Sequence, residues 1–304
     1  LLENLRLERA LLDALEVLTS LDVVSFKGTL LTRRLHGNLS GRVSTDNDLL
    51  VHPEDFEHAI ELLLAQGYRL FGPIGSTPER LGAFDQLELY PPVGRTEVVL
   101  DLHRYAFSRL HFAANESSVW QNLESSELHG RLLQTFCPEL TLVHLVAHAI
   151  SHGLSERTLE DLHTAMSVLG PSLDFERTRA IARQTVGLTA FETICRLVGG
   201  SSSLGRALPP FSILWTNRPS ITLRVRLLDG LLPRFRAPGF RTPLVAFVLL
   251  APERALAVFA RALYPGRAEL LQRFGSHPCW RLAFLHAQAM ARKWGAPGSS
   301  GRDE

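Results

Sequence analysis

The sequence predicts an α+β protein in which a mixed sheet with flanking helices is followed by a mostly α-helical C-terminal part. Three observations predict it. Short β-prone runs bounded by Gly, Pro, Asn and Ser fall within residues 1–115. Beyond them, apolar residues recur at helical rather than alternating spacing. Clusters of Pro, Gly and Ser at 199–210, 216–220 and 233–243 then divide the helical part into sections. The expected organisation is a sheet domain over 1–115, a helical domain over 116–295 and a disordered tail over 296–304.

Leu2, Leu5, Leu7, Ala10, Leu11, Leu15 and Leu18 recur at helical spacing, so residues 2–20 form an amphipathic helix whose polar face meets only solvent. Val23, Val24 and Phe26 make a short strand that stops at Lys27-Gly28. A helix over Thr29 to Leu35 and a turn over Gly37 to Gly41 follow. The apolar run Leu49-Leu50-Val51 is a strand, and Pro53 suits the first turn of a helix carrying Phe56, Ile60, Leu63 and Leu64 and stopped by Gly67. Further strands are expected at Tyr68 to Phe71, Gln86 to Tyr90 and Glu97 to His103, the last two as an antiparallel hairpin around Pro91 to Arg95. Helices are expected over Leu140 to Ile150, Leu159 to Leu169, Ala180 to Val186, Phe191 to Val198, Leu244 to Leu263 and Trp280 to Ala291.

Composition narrows the function. Lys+Arg 32 against Asp+Glu 31 gives a formal net charge of +1, so no charge excess would coat nucleic acid or an acidic membrane, and a polyanion needs a local site. Cys137, Cys195 and Cys279 lack CxxC spacing, so neither a disulfide framework nor a zinc knuckle is indicated. The longest apolar run, Leu244 to Ala251, is far short of a spanning helix, and charges fill the first helix instead of a signal-peptide pattern. A cytoplasmic protein without membrane contact is expected. Trp120, Trp215, Trp280 and Trp294 do not interleave with basic residues and read as packing residues.

The informative segment is Arg42-Val43-Ser44-Thr45-Asp46-Asn47-Asp48-Leu49-Leu50-Val51. Residues two apart in a strand share a face, which sets Asp46 and Asp48 roughly 6.6 Å apart along the backbone. Such a pair can clamp Mg²⁺, which favours one or two carboxylates completed by water and phosphate oxygens. Asp101 interrupts the apolar run Val98 to Leu102 and points away from Leu100 and Leu102. A charge buried there calls for a cation or a basic partner. Alternation sends His103 to the same face, to orient Asp101, to touch an acceptor or to meet solvent. Upstream, Lys27-Gly28 ends a strand and opens a helix, where a lysine and free backbone N–H groups suit an anion.

The order strand-Lys-Gly-helix, then Arg-x-Ser-x-Asp-x-Asp-Leu-Leu-Val, then apolar-Asp-Leu-His resembles the polymerase-β-like nucleotidyltransferase superfamily over residues 15–105. The chain is similar to its branch of uncharacterised bacterial nucleotidyltransferases with a Lys-Gly motif, family 5-like. The toxin-type relatives with Lys-Gly-Gly are a more distant likeness, because Thr29 stands in place of the second glycine. The resemblance implies a catalytic domain over 1–115 in which Asp46, Asp48 and Asp101 bind the catalytic Mg²⁺ or Mn²⁺. It also implies that Lys27, Gly28 and Ser44, with Arg42 as the basic residue before the serine, hold the triphosphate of an NTP, ATP being favoured. It includes a helical His-x-x-x-His followed by Asp, matched by His148, His152 and Asp161, which with His103 are candidate substrate contacts. His144, His148 and His152 share one helix face, where a structural role is the alternative. Arg33 and Arg34 read as a solvated helix face. The implied activity is transfer of an NMP, AMP by preference, to a hydroxyl of a small molecule such as a sugar or natural product. Nucleotide transfer to RNA and a nucleotide-binding pseudoenzyme are the alternatives. Exchanging Asp46 or Asp48 for Asn is expected to lower transfer by orders of magnitude while keeping or raising stability.

Overall fold

The structure, a computed structural model, describes residues 1–70, 84–92, 98–200, 219–232 and 238–263, together with Leu270, Arg281, Leu285 and His286. The chain divides into two compact units, one formed by Leu1–Arg109 and Asn115–Thr141 and the other by Leu110–Ala114 and Leu142–Glu304.

The first unit is built on a mixed seven-stranded sheet. Its elements run α1 (Leu2–Val17), β1 (Val23–Ser25), α2 (Gly28–His36), β2 (Asp46–Val51), α3 (Phe56–Ala65), β3 (Arg69–Leu70), β4 (Gln86–Tyr90), β5 (Val99–His103), α4 (Glu116–Trp120), β6 (Leu123–Leu128) and β7 (Arg131–Phe136). The strand order is β3-β4-β5-β2-β1-β7-β6. β2 lies parallel to β5 and antiparallel to β1, and β4 pairs antiparallel with β5 as the sequence predicts. Strand alternation makes the sheet two-sided. Leu49 and Val51, Leu100 and Leu102, and Leu87 and Leu89 turn to one face, where they pack with Leu11 and Leu15 of α1 and Phe56, Ile60 and Leu63 of α3. Each such buried leucine contributes roughly 1.5–3 kcal/mol, which pins the register and fixes what faces the other side.

α1 departs from expectation on its polar face. Asn4 and Glu8 lie in its buried stripe with Leu7, Leu11, Ala14 and Leu15. Glu8 receives Arg33 at 2.5 Å and His129 at 2.6 Å. Burial alone would raise the Glu8 carboxyl, but its bonds to Arg33 and His129 hold it below the ordinary carboxylate range. Arg33 is therefore tied to a buried carboxylate while its side chain stays over a third exposed. Arg34 donates to the Phe136 carbonyl at 2.6 Å and is ion-paired to Glu124. Pro53 lies in the turn ahead of α3, whose N-cap is Asp55, and Gly67 closes the helix with φ +86° as expected.

The largest difference is the hairpin β6–β7, in a stretch assigned above to the helical region. β7 adds to the sheet by parallel pairing with β1, Val24 opposite Gln134. The strands turn at His129 and Gly130, with φ 51° and 78°, the left-handed pair that a tight two-residue hairpin requires.

The second unit is helical. α5 (Pro138–Ser151) leads into it and is followed by α6 (Glu156–Leu169), α7 (Phe175–Gln184), α8 (Leu188–Gly200), α9 (Pro219–Leu231), α10 (Pro238–Leu249) and α11 (Pro252–Leu263). The side chains of Ser155 and Asp174 cap α6 and α7 by accepting from Thr158 and Arg177 N–H groups. The expected helix Leu244 to Leu263 is two helices, because Pro252 cannot continue α10 and instead opens α11. α9 was not expected, and Pro243 sits inside α10. The hairpin turn at 93–97, most of the Pro/Gly/Ser clusters, Cys279, Trp215, Trp280, Trp294, the tail 296–304 and most of Trp280 to Ala291 lie outside the described residues. Among the described residues, no helix is long and apolar enough to cross a membrane.

Candidate active site

On the sheet face opposite the leucine core, the register sets Asp48 of β2 directly beside Asp101 of β5, while Asp46 lies one strand repeat away on β2. Asp48 is 1% exposed and Asp101 9%. Basic side chains lie against the two carboxylates that the register sets side by side. Lys27 Nζ is 2.7 Å from Asp48 Oδ1. His103 Nε2 lies 3.2 Å from Asp48 Oδ1 and 3.4 Å from Asp101 Oδ2. Gln86 donates to Asp101 Oδ2 at 3.3 Å, whereas Asp101 Oδ1 is buried without a hydrogen-bond partner among the described residues. The imidazole rests edge-on against Phe26, centroids 5.1 Å apart, and Phe26 stacks on Phe136. The strand β7 thus backs Phe26 with the Phe136 ring.

Electrostatics follow from this geometry. Burial opposes ionisation of Asp48, but Lys27 and His103 outweigh it and hold the carboxyl far below its ordinary range. Burial likewise opposes charge on Lys27, and Asp48 overcomes it, so its pKa is raised. His103 is disfavoured as a cation by burial, yet Asp101 and Asp48 raise it to about 9. Asp46 is pushed up by burial and then by the neighbouring charge of Asp48. For a histidine whose value rises from 6.5 to about 9 on folding, stabilisation is complete below pH 6.5 and disappears as pH climbs through 9. For Asp48 it is complete above the ordinary 3.8 and is lost only as pH falls below that. The melting temperature of the metal-free protein is therefore expected to fall between pH 6.5 and 9, with a shallower fall in His103→Gln; equal slopes would contradict the assignment.

Lys27 and Gly28 stand at the junction of β1 and α2. Gly28 has φ +61°, and a Cβ there would meet Asn47 Oδ1 at 2.6 Å and the Asp46 carbonyl oxygen at 2.7 Å. The glycine is needed for the close approach of α2 to the strand that carries both aspartates. Asn47, pointing away from them, accepts from the Thr29 hydroxyl at 3.3 Å and donates to the Leu7 carbonyl at 2.7 Å. Gly28→Ala is expected to cost roughly 1–3 kcal/mol in a urea titration and to lower activity with it; wild-type stability would contradict this. Ser44 is buried, hydrogen-bonded to Thr32 at 3.0 Å, to Arg42 at 2.8 Å and, through its N–H, to Asn4 at 3.0 Å. Asn4 also donates to the carbonyls of Leu39 and Arg42. Asn4 and Asn47 fix the loop and the strand of the site, and neither was singled out from sequence. Glu88 on β4, in register with Asp101, was missed as well.

Among the described residues, Asp48, Asp101 and His103 are the group of ligating side chains close enough to hold a metal ion. The set fits a hard cation: its oxygens are carboxylate oxygens, and Asp101 Oδ1 lacks a donor. His144, His148 and His152 form a row in the second unit, ring centroids 6.5 and 4.2 Å apart along it, and Asp161 sits on α6 in the same unit. The family model described as Uncharacterised nucleotidyltransferase matches residues 2–199. No curated protein matches the chain.

Proposed function

The chain belongs to the uncharacterised nucleotidyltransferase family, and from that premise we propose that it transfers an NMP, AMP by preference, from an NTP to a hydroxyl of a small molecule. The observation that carries the reading is the in-register pair Asp48 and Asp101, with Asp46 on the same face and one buried carboxylate oxygen unpartnered. Asp46, Asp48 and Asp101 would hold Mg²⁺ or Mn²⁺, which when bound neutralises triphosphate charge and favours departure of pyrophosphate. The acceptor oxygen forms a bond to the α-phosphorus, the bond from that phosphorus to the bridging oxygen breaks, and the electron pair leaves with pyrophosphate. Asp101 is assigned to receive the acceptor proton as that bond forms. Lys27, held by Asp48, adds positive charge beside the incoming phosphates, with Gly28, Ser44 and Arg42 forming the adjoining wall. His103 orients Asp48 and Asp101 from below.

The near-neutral charge supports a small acceptor over RNA. Incubation with α-labelled NTPs and Mg²⁺, separately with small-molecule and RNA pools, tests this. Label is expected in the small-molecule fraction, and label confined to RNA would overturn the acceptor assignment.

A further inference from the structure

The carboxylate row continues one strand further than the residues assigned so far. Glu88 on β4 is paired with Asp101, and Asp101 with Asp48, so Asp48, Asp101 and Glu88 lie abreast on three neighbouring strands. Directly opposed residues share a face, with Cβ atoms roughly 4.5–5.5 Å apart. The cations of the site stand at one end of this row: Lys27 contacts Asp48, and His103 lies between Asp48 and Asp101. At the other end the group beside Asp101 is the neutral amide of Gln86, and among the described residues none forms an ion pair with Glu88. Asp101, only 9% exposed, keeps its Oδ1 without a partner at the centre of the row. A buried, unsatisfied carboxylate oxygen is costly unless a further group completes it. The Glu88 carboxyl is pushed up, first by burial and then by the charges of Asp101 and Asp46.

We propose that Glu88 is a further metal-binding carboxylate, sharing a divalent cation with Asp101 on the β4 side of the site. The assignment rests on the reading that this face binds Mg²⁺ or Mn²⁺. It gives the face two carboxylate pairs, Asp46 with Asp48 and Asp101 with Glu88, and Mg²⁺ favours one or two carboxylates with the remaining positions left to water and phosphate oxygens. The half-buried position of Glu88 suits that division, because a ligand at a partly exposed position leaves coordination sites for water and phosphate oxygens. The plainer alternative is a glutamate that merely faces water at the rim of the sheet.

Mn²⁺ binding to the full chain without nucleotide, read from the electron paramagnetic resonance signal of the free ion, separates the two. The wild type, Asp46→Asn, Glu88→Gln, Glu88→Asp and Glu127→Gln are compared, with a melting curve for each. Glu127 is an exposed acid on β6 and controls for net charge. Glu88→Gln is expected to weaken Mn²⁺ binding roughly 10–100-fold, Glu88→Asp less so, and Glu127→Gln not at all. Its metal-free melting temperature is expected to stay level or rise as repulsion is relieved. Wild-type affinity in Glu88→Gln, with affinity lost in Asp46→Asn, would overturn the role of Glu88 alone. Absence of Mn²⁺ binding in the wild type would overturn the underlying reading with it. If Glu88→Gln melts early, its Mn²⁺ affinity is read at a temperature below its melting transition, and wild-type affinity there would overturn the proposal.

Discussion

Asp46→Asn is expected to lower nucleotide transfer by at least roughly 10²-fold while leaving the melting temperature level or raised. The two effects come from one placement. Asp46 projects beside Asp48 with no ion-pair partner among the described residues, and burial together with the Asp48 charge makes its ionised form unfavourable in the folded protein. A neutral isostere removes that repulsion and, with it, the charge assigned to the metal-bound triphosphate. Single-turnover rate and thermal midpoint measured on one preparation check both parts. A clear loss of stability, or a near-normal rate, would contradict the placement.

Asp48→Asn is expected to behave differently, against the expectation from sequence that both aspartates tolerate Asn. Asp48 is fully enclosed, and Lys27 and His103 converge on its Oδ1. Removing the carboxylate leaves a buried ammonium without its counter-charge, a change that costs about 3–5 kcal/mol. A urea titration should show the midpoint falling well below that of Asp46→Asn. Adding Lys27→Met should recover part of the stability, because the stranded charge is then gone, while transfer stays lost. Equal midpoints for the two Asn variants would contradict the ion-paired site.

The contrast between those variants marks what was legible in the chain. The D-x-D spacing before Leu-Leu-Val, and the acid inside Val98 to Leu102, placed Asp46, Asp48 and Asp101 on one side of adjoining strands, because alternation and an apolar core leave little choice. Spacing could not reveal which carboxylate is paired, since Lys27 reaches Asp48 only through the antiparallel pairing of β1 with β2. The hairpin β6–β7 was hidden for a related reason. Leu123 to Leu128 carries Glu and Ser at four positions, and β7 joins the sheet by a parallel pairing more than a hundred residues from its partner β1. Asn4, Asn47 and Glu88 act across strands and helices that only the fold brings together. Gly28 was read as a contact for phosphate, but its first requirement is the approach of β2.

Release of pyrophosphate from α-labelled ATP, with label appearing on an acceptor, tests the central assignment most directly when wild type and Asp46→Asn are compared with Mg²⁺ and in excess EDTA. The wild type with Mg²⁺ is expected to give pyrophosphate and transferred label in equal amounts, and neither is expected with EDTA or in the folded Asp46→Asn protein. Undiminished transfer in EDTA, or in Asp46→Asn, would contradict it.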